Sequence, residues 1–192
     1  MRSEKQRWVL SGGLASGKSK VRDFLEGHGV QTIDADSVGH AVLEPDGPAY
    51  AEAVERWPHV VRNGEIHRPS LASIVFSDTS ELVALEGITH PHIFDMINVR
   101  LEGVESSVVV EIPLLSHGLG DDWKRMVVDC HDEIRIQRAL ERGMSPEDAE
   151  KRLRAQPERA EWLSVADVVI PNHGSIGDLD EVVARLAVNL FG

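Results

Sequence analysis

The chain has 192 residues, 42% of them hydrophobic, and carries 20 Lys+Arg against 32 Asp+Glu for a net charge of −12. That is the size of one domain with room for an insertion, and it supplies enough apolar material for a packed core. The acidic balance excludes a broad nucleic-acid surface, the single cysteine excludes an internal disulfide framework or Cys-rich zinc site, and no apolar run approaches the roughly 18 residues of a membrane-spanning helix.

Residues 1–7 are charged and the apolar run behind them is brief, so this segment is expected to lead into a strand at 8–11 rather than to act as a signal peptide. A glycine-rich loop follows at 12–19, then a helical segment through 21–25, then a second strand at Thr32-Ile33 that ends in Asp34-Ala35-Asp36. Between about 37 and 106 the rhythm changes. Polar turns such as Glu44-Pro45-Asp46-Gly47-Pro48 and Arg62-Asn63-Gly64-Glu65 separate helix-like pieces with no strong strand run, which predicts a helical insertion. Strands are expected again at 108–112, 126–130 and 168–170, and helices over 134–140, 149–155 and 179–190. Strands without polar alternation imply a parallel α/β sheet covered on both faces. Cys130 ends one of these apolar runs and reads as a small core hydrophobe. Charge is uneven: residues 21–110 hold 15 acids and 5 bases, whereas seven bases gather between Arg135 and Trp162.

Gly12-Gly13-Leu14-Ala15-Ser16-Gly17-Lys18-Ser19 fits G-x-x-x-x-G-K-[ST] between a predicted strand and a predicted helix. Glycines let the backbone turn and aim N–H groups inward, and the helix adds its positive N-terminal end. Lys18 then reaches the β- and γ-phosphates and the Ser19 hydroxyl can ligate magnesium. A nucleoside triphosphate with Mg²⁺ is expected, with Gly13, Leu14, Ala15, Ser16, Gly17, Lys18, Ser19 and Lys20 around the phosphates; GTPases, ATPases and small-molecule kinases all share this loop. No Asn-Lys-x-Asp segment reads guanine, which argues against a signalling GTPase.

Ligands of a parallel sheet gather at the carboxyl ends of its strands. Phosphoryl transfer to an alcohol needs a carboxylate there to orient the hydroxyl and accept its proton. An Asp at this junction also reads as a helix cap, so the expected division is Asp34 in supporting hydrogen bonds and Asp36 toward the acceptor. Glu111 ends a buried strand, where an unpaired carboxylate costs several kcal/mol. Its partner is a magnesium-bound water, a basic side chain or a plain structural salt bridge. In the basic cluster, Arg138, Arg142 and Arg159 are the candidates to close over a triphosphate as a helical lid. The other reading is a solvated helix face in which Glu147, Asp148 and Glu150 pair with Lys151, Arg152 and Arg154. His90-Pro91-His92 lacks a third ligand at usable spacing and makes a weak metal site.

The segments at 11–19, 33–36, His90-Pro91, 111–115, 127–129, 149–156, Ala166-Asp167, Val169-Ile170 and Asn172 with Gly174-Ser175 resemble the dephospho-coenzyme A kinase family nearly end to end. The resemblance implies an α/β P-loop kinase three-layer fold with a five-stranded parallel sheet, a core of residues 1–36 and 106–192, an inserted helical coenzyme A subdomain at about 37–105 and an Arg-bearing lid at about 142–160. It implies transfer of the ATP γ-phosphoryl to the ribose 3′-hydroxyl of dephospho-coenzyme A. Asp36 matches the family's proton acceptor, alongside Lys18 and Arg142 in catalysis. Arg138, Arg159, Asn172 and Gly174 fall on the ATP side, His90, Pro91, Leu114 and Leu115 on the acceptor side, and Ser19 with Glu111, through water, on the metal. The chain departs from the family at Ala15, usually Gly, and Lys20, usually Thr. After Leu115, Ser116-His117 replace an aromatic-Glu pair, with His117 as a partial substitute. Arg142-Gly143 shortens an Arg-Asp-Gly, and Pro171 and His173 replace Asp and Asn. A monomer or weak homo-oligomer in the cytoplasm is expected, with a small-molecule partner and neither nucleic acid nor membrane. Two rivals share the phosphate loop: a kinase of another small alcohol or nucleotide, and a non-catalytic ATP-binding protein.

Overall fold

A computed structural model describes residues 6–115, 118–120 and 122–192, which form two compact units, residues 6–33 with the described residues from 104 to 192, and residues 34–103. Ser116 and His117 lie outside the described residues.

The first unit is built on a five-stranded parallel sheet of β1 (Arg7–Ser11), β2 (Gln31–Asp34), β5 (Val108–Glu111), β6 (Lys124–Asp129) and β7 (Val168–Pro171), in the order β2-β5-β1-β6-β7. β1 sits at the centre, in parallel register with β5 through Val9↔Val110 and with β6 through Leu10↔Met126. Helix α1 (Lys18–Gly27) packs against α9 (Ile176–Phe191). Their apolar stripes, Val21 and Leu25 on α1 and Leu179, Val183 and Ala187 on α9, recur at helical spacing and bury against Trp8, Leu10, Met126 and Ile170. α9 starts at a capping box in which Ser175 and Asp178 satisfy each other's backbone N–H groups. Residues on the opposite sheet face, Val9, Val108, Val110 and Val127, are equally buried. The absence of polar alternation in the sequence reflects this two-sided burial. Cys130 is buried at the end of β6, and burial pushes its thiol pKa up, away from a nucleophile.

α6 (Asp132–Glu141), α7 (Pro146–Arg154) and α8 (Arg159–Ser164) lie between β6 and β7. Arg125, near the start of β6, is only 6% exposed. Its Nη1 donates to Ser11 Oγ at 2.9 Å and to the Leu114 carbonyl at 2.8 Å. Ser11 Oγ in turn donates to the Ile112 carbonyl at 3.1 Å, so the segment after β5 is fastened to the sheet at two points. Arg125→Ala takes the shorter of two hydrogen bonds from the Leu114 carbonyl, leaving it only the Ser11 hydroxyl at 3.4 Å, and opens a void in the core. It is expected to lower stability by about 2–4 kcal/mol, read as a lower urea midpoint at unchanged m.

The second unit is mostly helical, with α2 (Ala35–Ala41), α3 (Tyr50–Arg56), α4 (Arg68–Val75) and the long α5 (Thr79–Leu101), which contains His90 and Pro91. It also contains an antiparallel hairpin that the helical reading did not anticipate, β3 (Val61–Arg62) and β4 (Glu65–Ile66), with Val61 facing Ile66. The two-residue turn Asn63-Gly64 has φ of 53° and 84°, the left-handed pair that Asn-Gly supplies for a hairpin matching strand twist. Two-residue strands carry no detectable alternation, so only the turn dipeptide signalled them. Glu81 of α5 accepts from Arg56 Nε and Nη2 at 3.1 and 2.9 Å and from Trp57 Nε1 at 2.7 Å, which fastens α3 to α5.

Candidate active site

The phosphate loop joins the central strand β1 to α1 at the carboxyl end of the sheet. Gly12 and Gly17 have φ of 145° and 106°, and an added Cβ on Gly17 would collide with the Asn172 amide. That amide donates from Nδ2 to the Ser16 carbonyl at 2.7 Å, so Asn172, just beyond β7, ties the loop's far side to the sheet. Lys18 Nζ donates to the Gly12 and Gly13 carbonyls at 2.9 and 3.1 Å, which lays the ammonium across the loop. Ser16 Oγ is buried and makes no hydrogen bond among the described residues. Ala15 occupies the left-handed region at φ 53°, a conformation costing a residue with a Cβ roughly 1–2 kcal/mol. Its methyl packs on Ala139 of α6 and Ala149 of α7, so burial offsets part of that strain.

Glu111 finds its basic partner in Arg22, whose Nη1 lies 2.9 Å from Oε2. The Ser19 hydroxyl donates to the other carboxylate oxygen at 3.5 Å. A hydroxyl and a carboxylate at the head of α1 are hard oxygen donors. Magnesium, which takes one or two protein oxygens and completes its shell with water and phosphate, fits this set. Among the described residues no group of three or more His, Cys, Asp or Glu could hold a metal by itself, His90-His92 included.

The predicted arginines do different work. Arg138 donates from Nη2 to Asn172 Oδ1 at 3.2 Å and the Gly174 carbonyl at 3.3 Å, and from Nη1 to the Asn172 carbonyl at 3.3 Å. It orders the segment that carries Asn172 and Gly174. Arg142 caps the end of α6 and lines two cavities. One, of about 300 Å³, is bounded by Gly17, Lys20, Arg138, Asn172 and Ile176, and the other, of about 320 Å³, by Leu14, Ala15, Met144 and Arg152. Lys20 also lies 3.8 Å from Asp23. On the solvated face Arg154 pairs with Glu150, as an ordinary i, i+4 contact.

Arg159 grips Asp129 through one edge of its guanidinium, Nε to Oδ1 at 2.6 Å and Nη2 to Oδ2 at 2.7 Å. His173 Nε2 stands 3.3 Å from Oδ2, and its ring stacks on His131 with centroids 4.2 Å apart. The Arg159 hydrogen bonds, more than any other cause, hold the Asp129 carboxyl below its ordinary pKa. A depressed carboxylate pKa stabilises the fold above the unfolded value, about 3.9, and that contribution fades as pH falls through the folded value. The melting temperature of the wild type should exceed that of Asp129→Asn at pH 6–8, and the gap should narrow steadily below about pH 4. A gap independent of pH would contradict the pairing.

In the second unit, Asp34 caps α2, its Oδ1 accepting from the Asp36 N–H at 2.9 Å and the Ser37 N–H at 3.3 Å. The Asp36 side chain, one residue into the helix, is exposed. Leu114 is half-exposed and Leu115 partly so, on the segment fastened by Arg125 and Ser11. His90 meets Phe94 edge-on within α5, with Pro91 the next residue of the helix.

Two contributors escaped the sequence reading as individual site residues, Arg135 and Gln156. Arg135 shares the buried face of α6 with Ala139, and a charged residue on an apolar helix stripe was the available signal.

The family model for dephospho-CoA kinase (CoaE) matches residues 8–178. The chain belongs to the dephospho-CoA kinase family. A dephospho-CoA kinase of Thermobifida fusca is 36% identical over 184 residues, covering 92% of each chain. Another, of Corynebacterium glutamicum, is 38% identical over 180 residues, covering 88% of this chain and 92% of the relative. Among solved structures, TT1252 from Thermus thermophilus matches with a TM-score of 0.85 at 30% identity, covering 98% of this chain and all of that one. The dephospho-CoA kinase of Campylobacter jejuni matches with 0.73 at 25% identity, covering 98% of each. A shikimate kinase of Bacteroides thetaiotaomicron, at 15% identity and a TM-score of 0.56, shares the P-loop kinase fold alone. As a member of this family the chain is a phosphotransferase of coenzyme A biosynthesis.

Proposed function

We propose that the chain transfers the γ-phosphoryl of ATP to the ribose 3′-hydroxyl of dephospho-CoA, giving coenzyme A and ADP, with the roles divided as follows. The family match over residues 8–178 carries the choice of acceptor, and the loop of residues 12–19 carries the choice of donor. The backbone N–H groups of that loop and Lys18 hold the β- and γ-phosphates, and Asn172 and Gly174, ordered by Arg138, face the nucleotide. Ser19, and Glu111 through water, hold Mg²⁺, which when bound neutralises charge on the β- and γ-oxygens.

The acceptor 3′-oxygen forms a bond to the γ-phosphorus while the bond from that phosphorus to the β,γ-bridging oxygen breaks, and ADP leaves with the electron pair. Asp36 orients the hydroxyl and takes its proton as the new bond forms. Arg142 stabilises the charge on the transferred group, and Arg159, held by Asp129, stands on the ATP side. Residues 37–105 form the coenzyme A subdomain, with His90 and Pro91, and Leu114 and Leu115 of the core, on the acceptor side; residues 142–160 act as a lid. No described helix is long and apolar enough to cross a membrane, and the enzyme works in the cytoplasm as a monomer or weak homo-oligomer. The test is the product itself. After incubation with Mg-ATP, mass and ³¹P spectra of the acceptor should show one added phosphoryl on the ribose 3′-oxygen. An unmodified acceptor, or a phosphoryl elsewhere, would overturn the reading.

A further inference from the structure

We infer that Arg135 and Gln156 are positioning residues that couple the end of the α7 segment to the backbone of the phosphate loop and thereby set nucleotide affinity, an inference that rests on residues 12–19 holding the nucleotide. Both polar backbone groups of Leu14 are taken. Its N–H donates to Gln156 Oε1 at 2.7 Å and its carbonyl accepts from Arg135 Nε at 2.8 Å. The ring closes between the two side chains, with Arg135 Nη2 donating to the same Gln156 oxygen at 2.8 Å. One amide oxygen has two lone pairs, and both are used. Nη1 is taken by Asp132 at 2.8 Å, and Arg135 is 4% exposed, so the guanidinium has one orientation.

The consequence for the loop follows from peptide geometry. In a trans peptide the C=O and the N–H of the next residue point in opposite directions. Holding the Leu14 carbonyl toward Arg135 therefore turns the Ala15 N–H to the opposite side. Holding the Leu14 N–H toward Gln156 fixes the preceding peptide plane in the same way. Two successive planes of the loop are set by side chains from α6 and from the residues just past α7. Gly13 leaves room for this, since a Cβ there would collide with the Arg135 guanidinium. The Ala15 methyl adds an apolar contact to the same two helices through Ala139 and Ala149. A displacement of the α7 end thus breaks contacts that hold the cradle in shape, and ordering the cradle around phosphates favours the docked α7 end.

The experiment measures ATP affinity by nucleotide titration, together with the melting temperature, for wild type, Gln156→Leu, Gln156→Glu and Lys18→Ala. Gln156→Leu keeps bulk but removes the acceptor, and its ATP dissociation constant should rise about tenfold or more, with KM for ATP rising and KM for the acceptor unchanged. Gln156→Glu keeps an acceptor beside Arg135 and should stay within about threefold of wild type. If Gln156→Leu does not fold, the shorter Gln156→Asn makes the same comparison, and it too should weaken binding. Wild-type affinity in Gln156→Leu or Gln156→Asn, with only the melting temperature lowered, would overturn the inference. So would equal weakening in Gln156→Leu and Gln156→Glu. If Lys18→Ala alone bound ATP as tightly as wild type, the phosphate-loop reading would be at fault instead.

Discussion

Asp36→Asn lowers turnover by about 10²-fold or more while leaving ATP affinity within a factor of about two. The amide keeps the size and one hydrogen-bonding oxygen of the carboxylate but can no longer take a proton. The loss therefore falls on kcat and kcat/KM together, as for an interaction made in the transition state. The neighbouring carboxylate provides the control. Asp34 Oδ1 is committed to the Asp36 and Ser37 N–H groups at the head of α2. Asp34→Ala should cost about 1 kcal/mol of stability as a lost helix cap. Steady-state kinetics and urea titrations on the two variants check both statements. Turnover intact in Asp36→Asn would remove the proton acceptor from the mechanism.

Lys18→Met should reduce kcat by about 10²–10³-fold and raise KM for ATP, because the ammonium is the fixed cation of the loop and no other side chain from residues 12–19 carries charge. Its hydrogen bonds to the Gly12 and Gly13 carbonyls show the reach of the side chain over the loop. Methionine preserves the apolar stem, so the fold and melting temperature should be nearly unchanged. A variant with wild-type kcat would show that the cradle of N–H groups suffices without the lysine.

The phosphate loop was legible because its chemistry is local: glycines for the turn, lysine and serine at the head of the helix, and a strand in front of it. The strands and the main helices were legible for a related reason, since burial on one stripe imprints a helical period and burial on both faces leaves an unbroken apolar run. Legibility stopped where partners lie far apart in the chain. That Glu111 needed a partner followed from its buried strand, but that Arg22 supplies it did not. Arg159 was read as a lid arginine, and nothing near it in the sequence pointed to Asp129, 30 residues away. Arg135 and Gln156 were hidden likewise, because their partner is the backbone of Leu14, and a backbone group leaves no residue signature. The Asn63-Gly64 hairpin was missed for a different reason: its strands are shorter than any period they could display. Ala15, by contrast, stood out as a departure from the family glycine, and its left-handed φ and packed methyl give that departure a physical meaning.

The most direct measurement follows ADP release by the purified protein with Mg-ATP, comparing dephospho-CoA, AMP, adenosine and no acceptor. ADP should appear rapidly with dephospho-CoA and only at background with the other three. ADP formed with AMP or adenosine but not with dephospho-CoA would contradict the assigned acceptor, and no acceptor-dependent ADP at all would contradict the assigned phosphoryl transfer.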